Sequence, residues 1–233
     1  MSKVTLPLVA LAGAALGAAG VWGIDNARAG GSVGPQVHAY LLAHPEVINE
    51  AIGKLQDRES GKLVARHRDA IVGPYRGAWA GNPKGDVTVV EYFDYNCGYC
   101  RASLPTLATL LQRDPNLRVV YRELPILADT SRAAARASLA AAAAGPDQYR
   151  RFHAALYAAG PVSDATIAGV ARAAGVDPAR VPADADAEVE RNLEVAGRLN
   201  LSGTPSWIIG DRVLSGAQPL EALEDAVKAA RGG

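Results

Sequence analysis

Apolar positions along this chain follow two different periods. In QVHAYLLAHPEVINEAIGKLQDRE, Val37, Leu41, His44, Ile48, Ala51, Ile52 and Leu55 recur at steps of three and four, the period of an amphipathic helix. Pro45 belongs in the first turn of a new helix, which predicts a break at His44. A second helical stretch is expected near Ser60 to Val72, carrying Leu63, Val64, Ala70 and Ile71. GPYRGAWAGNPKGD then brings Gly, Pro and Asn in quick succession and reads as a linker. In VTVVEYF, Val87 to Phe93, the pattern becomes almost continuously apolar and β-branched. This predicts a central strand covered on both faces.

A helix is predicted from Cys97 to about Arg113, and LRVVYREL, Leu117 to Leu124, is the next strand. From Asp129 to Asn200 the period is helical throughout. Pro146 starts one helix. Ser163 caps another, with Ile167, Val170 and Ala174 on one face and Gly175 as its stop. A third carries Val189, Leu193 and Ala196. SWIIGDRVLSG reads as two short strands joined at Gly210-Asp211, and Pro219 opens a last helix with Leu220, Leu223 and Val227 on one side. The order is strand, helix, strand, helical insert, strand, strand, helix. This α/β order implies a parallel first pair and an antiparallel closing hairpin. No internal repeat is present.

Charge narrows the partners. The formal net charge is zero and charged residues make up 21% of the chain, so there is no basic footprint for nucleic acid. The N-terminal region bears on location. Lys3 is followed by an uncharged run from Val4 to Ile24, then by Ala27 and Ala29 in A-x-A spacing, which reads as a signal peptide over 1–29. The apolar run is also long enough to span a bilayer, so an uncleaved inner-membrane anchor is the alternative. Either way the rest of the chain is expected in the periplasm or another extracytoplasmic, oxidising compartment.

Both cysteines of the chain lie in FDYNCGYCRASLP, as Cys97 and Cys100. A structural zinc site needs about four ligands, and His38, His44, His67 and His153 supply no second close pair. A purely structural disulfide across so short a loop removes little unfolded-state entropy. A redox pair on a strand-to-helix turn fits the context better. At the helix start, free N–H groups and the positive end of the dipole stabilise a thiolate on Cys97. Cys97 is therefore the expected attacking sulfur, and Cys100, one turn into the helix, the resolving one. Gly98 and Tyr99 shape the field between them.

Glu91 lies six residues before Cys97 and shares a strand face with Val87, Val89 and Phe93. Either it sits at a sheet edge in water, or it is a buried acid–base group that exchanges a proton with Cys100. Asp94 is read as a solvated turn residue and His153 as a packing histidine. The basic run Arg58, Lys62, Arg66, His67 and Arg68 is read as a solvated helix face. Trp79 and Trp207 are left open between packing and contact at the active-site surface.

VTVVEYFDYNCGYCRASLP resembles the active-site region of the DsbA-like, thioredoxin-fold thiol-disulfide oxidoreductases of bacterial envelopes. The likeness runs from Gly81 to about Arg231 and includes GTPSW, which resembles that family's cis-proline loop. The resemblance implies a thioredoxin fold with a helical insertion and N-terminal helices. The domains would be an N-terminal helical region over 30–76, able to oligomerise, and a thioredoxin-fold domain over 81–233 with its insert at about 129–200. Pro205 would be cis and packed beside Cys97, and Thr204 would offer its backbone to a substrate strand. Pro105 would lie inside the cysteine helix, and Glu91 matches an acidic residue of the family. No metal or organic cofactor is implied. The implied partners are cysteine-containing envelope proteins, a membrane redox partner and further copies of the chain. Gly98-Tyr99 and Thr204 look more like the isomerases and reductases of the envelope than its oxidases, and the N-terminal helices resemble the suppressor-of-copper-sensitivity-like members. The other reading is a non-enzymatic envelope binding protein or chaperone with a structural Cys97–Cys100 bridge.

Overall fold

A computed structural model describes residues 33–177 and 179–232. The expected signal or anchor over 1–29 lies outside the described residues. Among those described, no helix is long and apolar enough to cross a membrane.

Two compact units divide between Lys54 and Leu55. The first contains α1 (Val33–Ala43) and the opening turns of α2 (Glu46–Arg66). The break falls at His44 and Pro45, because proline cannot continue the preceding helix. The apolar stripe is open: Val37, Ile48, Ile52 and Leu55 are each about half exposed.

The expected separate helix from Ser60 does not occur, since α2 runs on to Arg66. Gly61 explains its passage. The glycine lies against Asp211, whose Cβ would be only 3.0 Å from an added Cβ. Ser60 Oγ donates to the Asp57 carbonyl at 3.1 Å, and Arg212 pairs with Asp57 at 3.1 Å. The break comes instead at His67, before α3 (Arg68–Val72).

The sheet has the order β1-β3-β2-β4-β5, with β1 (Trp79–Gly81), β2 (Val87–Phe93), β3 (Leu117–Glu123), β4 (Ser206–Ile209) and β5 (Arg212–Ser215). β2 and β3 are parallel, joined through α4 (Gly98–Arg113), and the other pairs are antiparallel. Strand β1 occupies part of the stretch expected as a linker. It is led in by Gly77, whose N–H donates to the Ala142 carbonyl at 3.0 Å and where a Cβ would come within 2.6 Å of backbone. The insert comprises α5 (Asp129–Ala144), α6 (Pro146–Ala158), α7 (Asp164–Ala173) and α8 (Ala185–Arg198), and α9 (Leu220–Gly232) closes the described chain.

Strand alternation sorts the core into two layers. Val87, Val89, Phe93 and Tyr121 face α4, α6 and α9. Val90, Tyr92 and Val120 face Val64 of α2, Ile71 of α3 and Val195 of α8. Both faces of β2 and β3 are thus covered, which is why those strands read as unbroken apolar runs. On the second face Arg122 is buried. Its guanidinium donates to Glu188 at 2.5 Å, to the Ile71 carbonyl at 3.2 Å and to the Gly73 carbonyl. A buried guanidinium needs this many acceptors to offset its lost hydration.

Candidate active site

Strand β2 delivers the cysteine turn. After Phe93, the Cys97 N–H donates to the Asp94 carbonyl at 2.9 Å, closing a turn that ends β2 and starts α4. Cys97 is the N-cap of α4, and its sulfur accepts from the Cys100 N–H at 3.3 Å. Cys100, Ser103, Leu107 and Leu110, at steps of three and four, turn inward, so Cys100 is fully buried. Both cysteines are free thiols. Gly98 and Tyr99 project outward, and Tyr99 is 71% exposed.

The loop before β4 meets this turn. The Thr204–Pro205 peptide bond is cis, and the Cys97 thiol donates to the Thr204 carbonyl at 3.1 Å. Gly216 N–H donates to the Pro205 carbonyl at 2.8 Å and Ser206 Oγ to the Gly203 carbonyl at 2.7 Å, which fixes the loop at both ends. The Thr204 hydroxyl is buried without a hydrogen-bond partner.

Glu91 lies under the turn on the central strand, opposite Tyr121 of β3 and Trp207 of β4. It is 2% exposed, so the reading of a sheet-edge acid in water is excluded. Its Oε2 has no partner. Burial, with Cys97 nearby adding to it, pushes its carboxyl up to about 8, so Glu91 is neutral at pH 7. Burial also pushes the Cys100 thiol up. A backbone N–H at Asp94 opposes that, while Glu91 adds to it.

Asp94 overturns its sequence reading. It is 2% exposed rather than solvated, because donors from distant segments converge on it. Oδ1 accepts from Asn96 N–H at 2.9 Å and Ser131 Oγ at 2.8 Å. Oδ2 accepts from the N–H groups of Ile126 at 2.9 Å and Leu127 at 3.0 Å. Trp207 takes the packing alternative. It is fully buried in the core with its indole N–H on the Gly216 carbonyl at 3.0 Å. Trp79 is part-buried on edge strand β1, beneath Arg150. His153 is a packing residue: burial holds it neutral by lowering it to about 3, and it sits among Phe93, Tyr121 and Tyr149.

One buried chain escaped the sequence reading. Tyr95 OH lies 3.0 Å from His153 Nδ1 and 2.9 Å from Ser138 Oγ, which donates to Glu123 at 2.8 Å. Burial pushes Glu123 up to about 7. The signal that singled out Glu91, a carboxylate within an apolar strand, was present for Glu123 as well.

Comparisons with known proteins agree with this geometry. The DSBA-like thioredoxin domain model matches residues 88–228, and the copper resistance protein ScsC N-terminal domain model matches residues 32–60. A linker-deletion mutant of Proteus mirabilis ScsC superposes with a TM-score of 0.70 at 27% identity, covering 86% of this chain and 93% of that one. A thioredoxin-like oxidoreductase from Silicibacter pomeroyi gives 0.67 at 38% identity, covering 71% and 98%. A Na(+)/H(+) antiporter, NhaA 1 of Salinispora arenicola, is 32% identical over 168 residues, 70% of this chain. The chain spans about a quarter of that antiporter's length, 26%. The fold is that of a thioredoxin-like thiol-disulfide oxidoreductase, and the chain belongs to the DSBA-like thioredoxin domain family.

Proposed function

We propose that this protein is an extracytoplasmic enzyme that exchanges disulfides with cysteine-containing proteins through Cys97 and Cys100. The carrying observation is the position of the Cys97 sulfur, between the N-terminal N–H groups of α4 and the Thr204 carbonyl. As a thiolate, Cys97 attacks a substrate disulfide. A Cys97–substrate bond forms and one substrate sulfur leaves, taking a proton. Cys100 then gives its proton to ionised Glu91 and attacks Cys97. The substrate's second thiol is released and a Cys97–Cys100 disulfide remains. The enzyme loses two electrons and the substrate gains them, and the reverse sequence oxidises a dithiol. A membrane redox partner would reset the pair. The site chemistry is carried by sulfur and one carboxyl group. Thr204 and Pro205 line the approach to Cys97, and the exposed Gly98 and Tyr99 between the cysteines are the other residues offered to substrate.

Gly98-Tyr99 and Thr204 favour the isomerase or reductase direction. Placement outside the cytoplasm rests on the apolar run Val4 to Ile24 and the A-x-A spacing after it. Self-association is proposed through the open stripe of Val37, Ile48 and Ile52. Leu41, Ile48 and Leu55 recur every seven residues there, as in a helical seam.

Refolding of a scrambled disulfide protein tests the activity. Catalysed recovery is expected with reduced enzyme. An inert, non-exchanging Cys97–Cys100 disulfide would favour the binding-protein alternative. Light scattering at tens of micromolar should show a dimer or larger assembly, and a monomer would remove the stripe from the account.

A further inference from the structure

We propose that His153, Tyr95, Ser138 and Glu123 form a proton relay, through which a second buried acid takes up a proton from a cavity between α4 and α6. The uptake reverses every hydrogen bond along the way, including the one made by Tyr95, two residues before Cys97. The relay goes beyond the proposed function and uses neither cysteine.

Four elements supply the four side chains. Glu123 ends β3, Ser138 lies on α5, His153 on α6, and Tyr95 in the turn that leads to Cys97. Ser138 Oγ is 2.8 Å from Glu123 Oε1, Tyr95 OH is 2.9 Å from Ser138 Oγ, and His153 Nδ1 is 3.0 Å from Tyr95 OH. All four are buried. At its far end His153 lines a cavity of about 290 Å³, with Leu104, Leu107 and Tyr121 in the wall. Exposed Ala108, Arg150 and Ala154 also border the cavity and open it to solvent. Tyr95, the partner of Nδ1, is not part of that wall, so the ring presents its opposite edge to the cavity. That edge carries Nε2, which is buried without a hydrogen-bond partner. A polar atom on a cavity of this size is within reach of water.

Each hydroxyl has one proton to give and a neutral imidazole has one, so the bonds turn together. With Glu123 ionised, Ser138 donates to it, Tyr95 donates to Ser138, and His153 donates from Nδ1 to Tyr95, leaving Nε2 bare. A proton arriving at Nε2 from water releases the Nδ1 proton to Tyr95. The tyrosine proton passes to Ser138 and the serine proton to Glu123 Oε1. One proton has entered and one carboxylate is neutral. Glu123 now donates to Ser138, Ser138 to Tyr95, and Tyr95 to Nδ1. The surroundings suit a store of protons better than a fixed charge. Glu123 Oε2 is buried without a partner, and burial raises the carboxyl to about 7. The Ser138 bond and Arg122 of the same strand pull it down, and Glu188 of α8 pushes it up. Glu91, on the same face of β2, is itself neutral at pH 7. Tyr95 and Tyr149 keep their protons because burial pushes both hydroxyls up. His153, held neutral by burial, passes a proton on without keeping it.

NMR of the full chain, isotope-labelled at histidine and glutamate, tests the relay. Between about pH 5 and pH 9 His153 is expected to stay neutral and to change from the Nε2–H to the Nδ1–H tautomer. The midpoint should coincide with the titration of the Glu123 carboxyl carbon, near 7. Glu123→Gln should hold His153 in one tautomer throughout. Ser138→Ala removes the middle link and should leave the tautomer independent of pH. A cluster with a structural role alone would keep one tautomer at every pH, so a parent that does so overturns the inference. It is overturned equally by a His153 that becomes charged, by a Glu123 that does not titrate in this range, or by a tautomer change that persists in either variant. If the variants do not fold, coincidence of the two midpoints in the parent decides. Cys97 and Cys100 take no part in these readings, so failure here leaves the proposed function intact.

Discussion

Glu91 and Asp94 are three residues apart, and both are 2% exposed, yet they live in opposite environments. Glu91 sits in the middle of an apolar strand with one oxygen unpartnered, and burial drives it to the neutral acid. Asp94 sits just past the strand end, and four donors satisfy both of its oxygens. Burial alone does not set the role of a carboxylate. An unsatisfied acid can take up and return a proton, while a satisfied one is structural framework. Both acids adjoin the cysteine turn, Glu91 through its charge and Asp94 through its carbonyl on the Cys97 N–H.

The largest expected effect tests what the two acids serve. Cys97→Ser should abolish turnover, while Cys100→Ser should accumulate mixed disulfides with substrate, visible on non-reducing gels. If Cys100→Ser turns over like the parent, the proton acceptor beneath it has nothing to do.

Glu91→Gln should slow the step in which Cys100 attacks by roughly tenfold near pH 8, within the usual span for general base catalysis. The parent rate should rise with pH through about 8 as Glu91 ionises, and the variant should lack that limb. Rates matching the parent within about twofold across pH, near 0.4 kcal/mol, would assign Glu91 no part. Stability gives an independent reading. Unfolded, Glu91 ionises near its ordinary 4.5, but folded it holds its proton to about 8. The parent should therefore lose stability relative to Glu91→Gln as pH rises between those values, by about 1.4 kcal/mol per unit, with the difference between the two proteins constant below and above that window. Denaturant midpoints from pH 4 to 9 would show the slope. Glu123, also raised, is present in both proteins and cancels.

Asp94→Asn should behave in the opposite way. It leaves one pair of donors facing an amide NH2, which costs roughly 2–6 kcal/mol at about 1–3 kcal/mol per unpaired group. Denaturant midpoints at pH 7 measure that loss, and a midpoint equal to the parent's would erase the distinction between the two acids. Thr204→Val should have the smallest effect, a change of a few fold in substrate release without loss of fold, measured by single-turnover quench. Its hydroxyl has no hydrogen-bond partner, and the backbone carbonyl that meets Cys97 is retained.

The difference between the acids also marks how far the sequence was legible. Glu91 could be read because local alternation sets which face it occupies, and an apolar strand declares its own burial. The N-cap position of Cys97 and the inward face of Cys100 follow from the same short-range periodicity. Asp94 could not be read, because its burial depends on N–H groups more than thirty positions downstream that only the folded loop brings to it. Strand β1 was hidden for a similar reason. Its three residues, Trp79 to Gly81, pair only because β3 presents a free edge, and their glycine-rich surroundings suggest a linker. Trp207 stays open between packing and contact in the sequence because a tryptophan beside a functional loop looks the same there whether it faces solvent or core.

Arg122 bears on how the molecule can be cut. Its guanidinium fastens three stretches of chain that are far apart in sequence: the end of α3, strand β3 and helix α8. Val64 and Ile71 cover the same side of the sheet. A truncation that begins at Trp79, an obvious choice for isolating the cysteine domain, would strip two acceptors from a buried cation and uncover Val90, Tyr92 and Val120. Anyone trimming this protein for crystallisation or display should begin no later than α2, and a protease that nicks the chain after Gly73 should leave a fragment that stays associated until denatured.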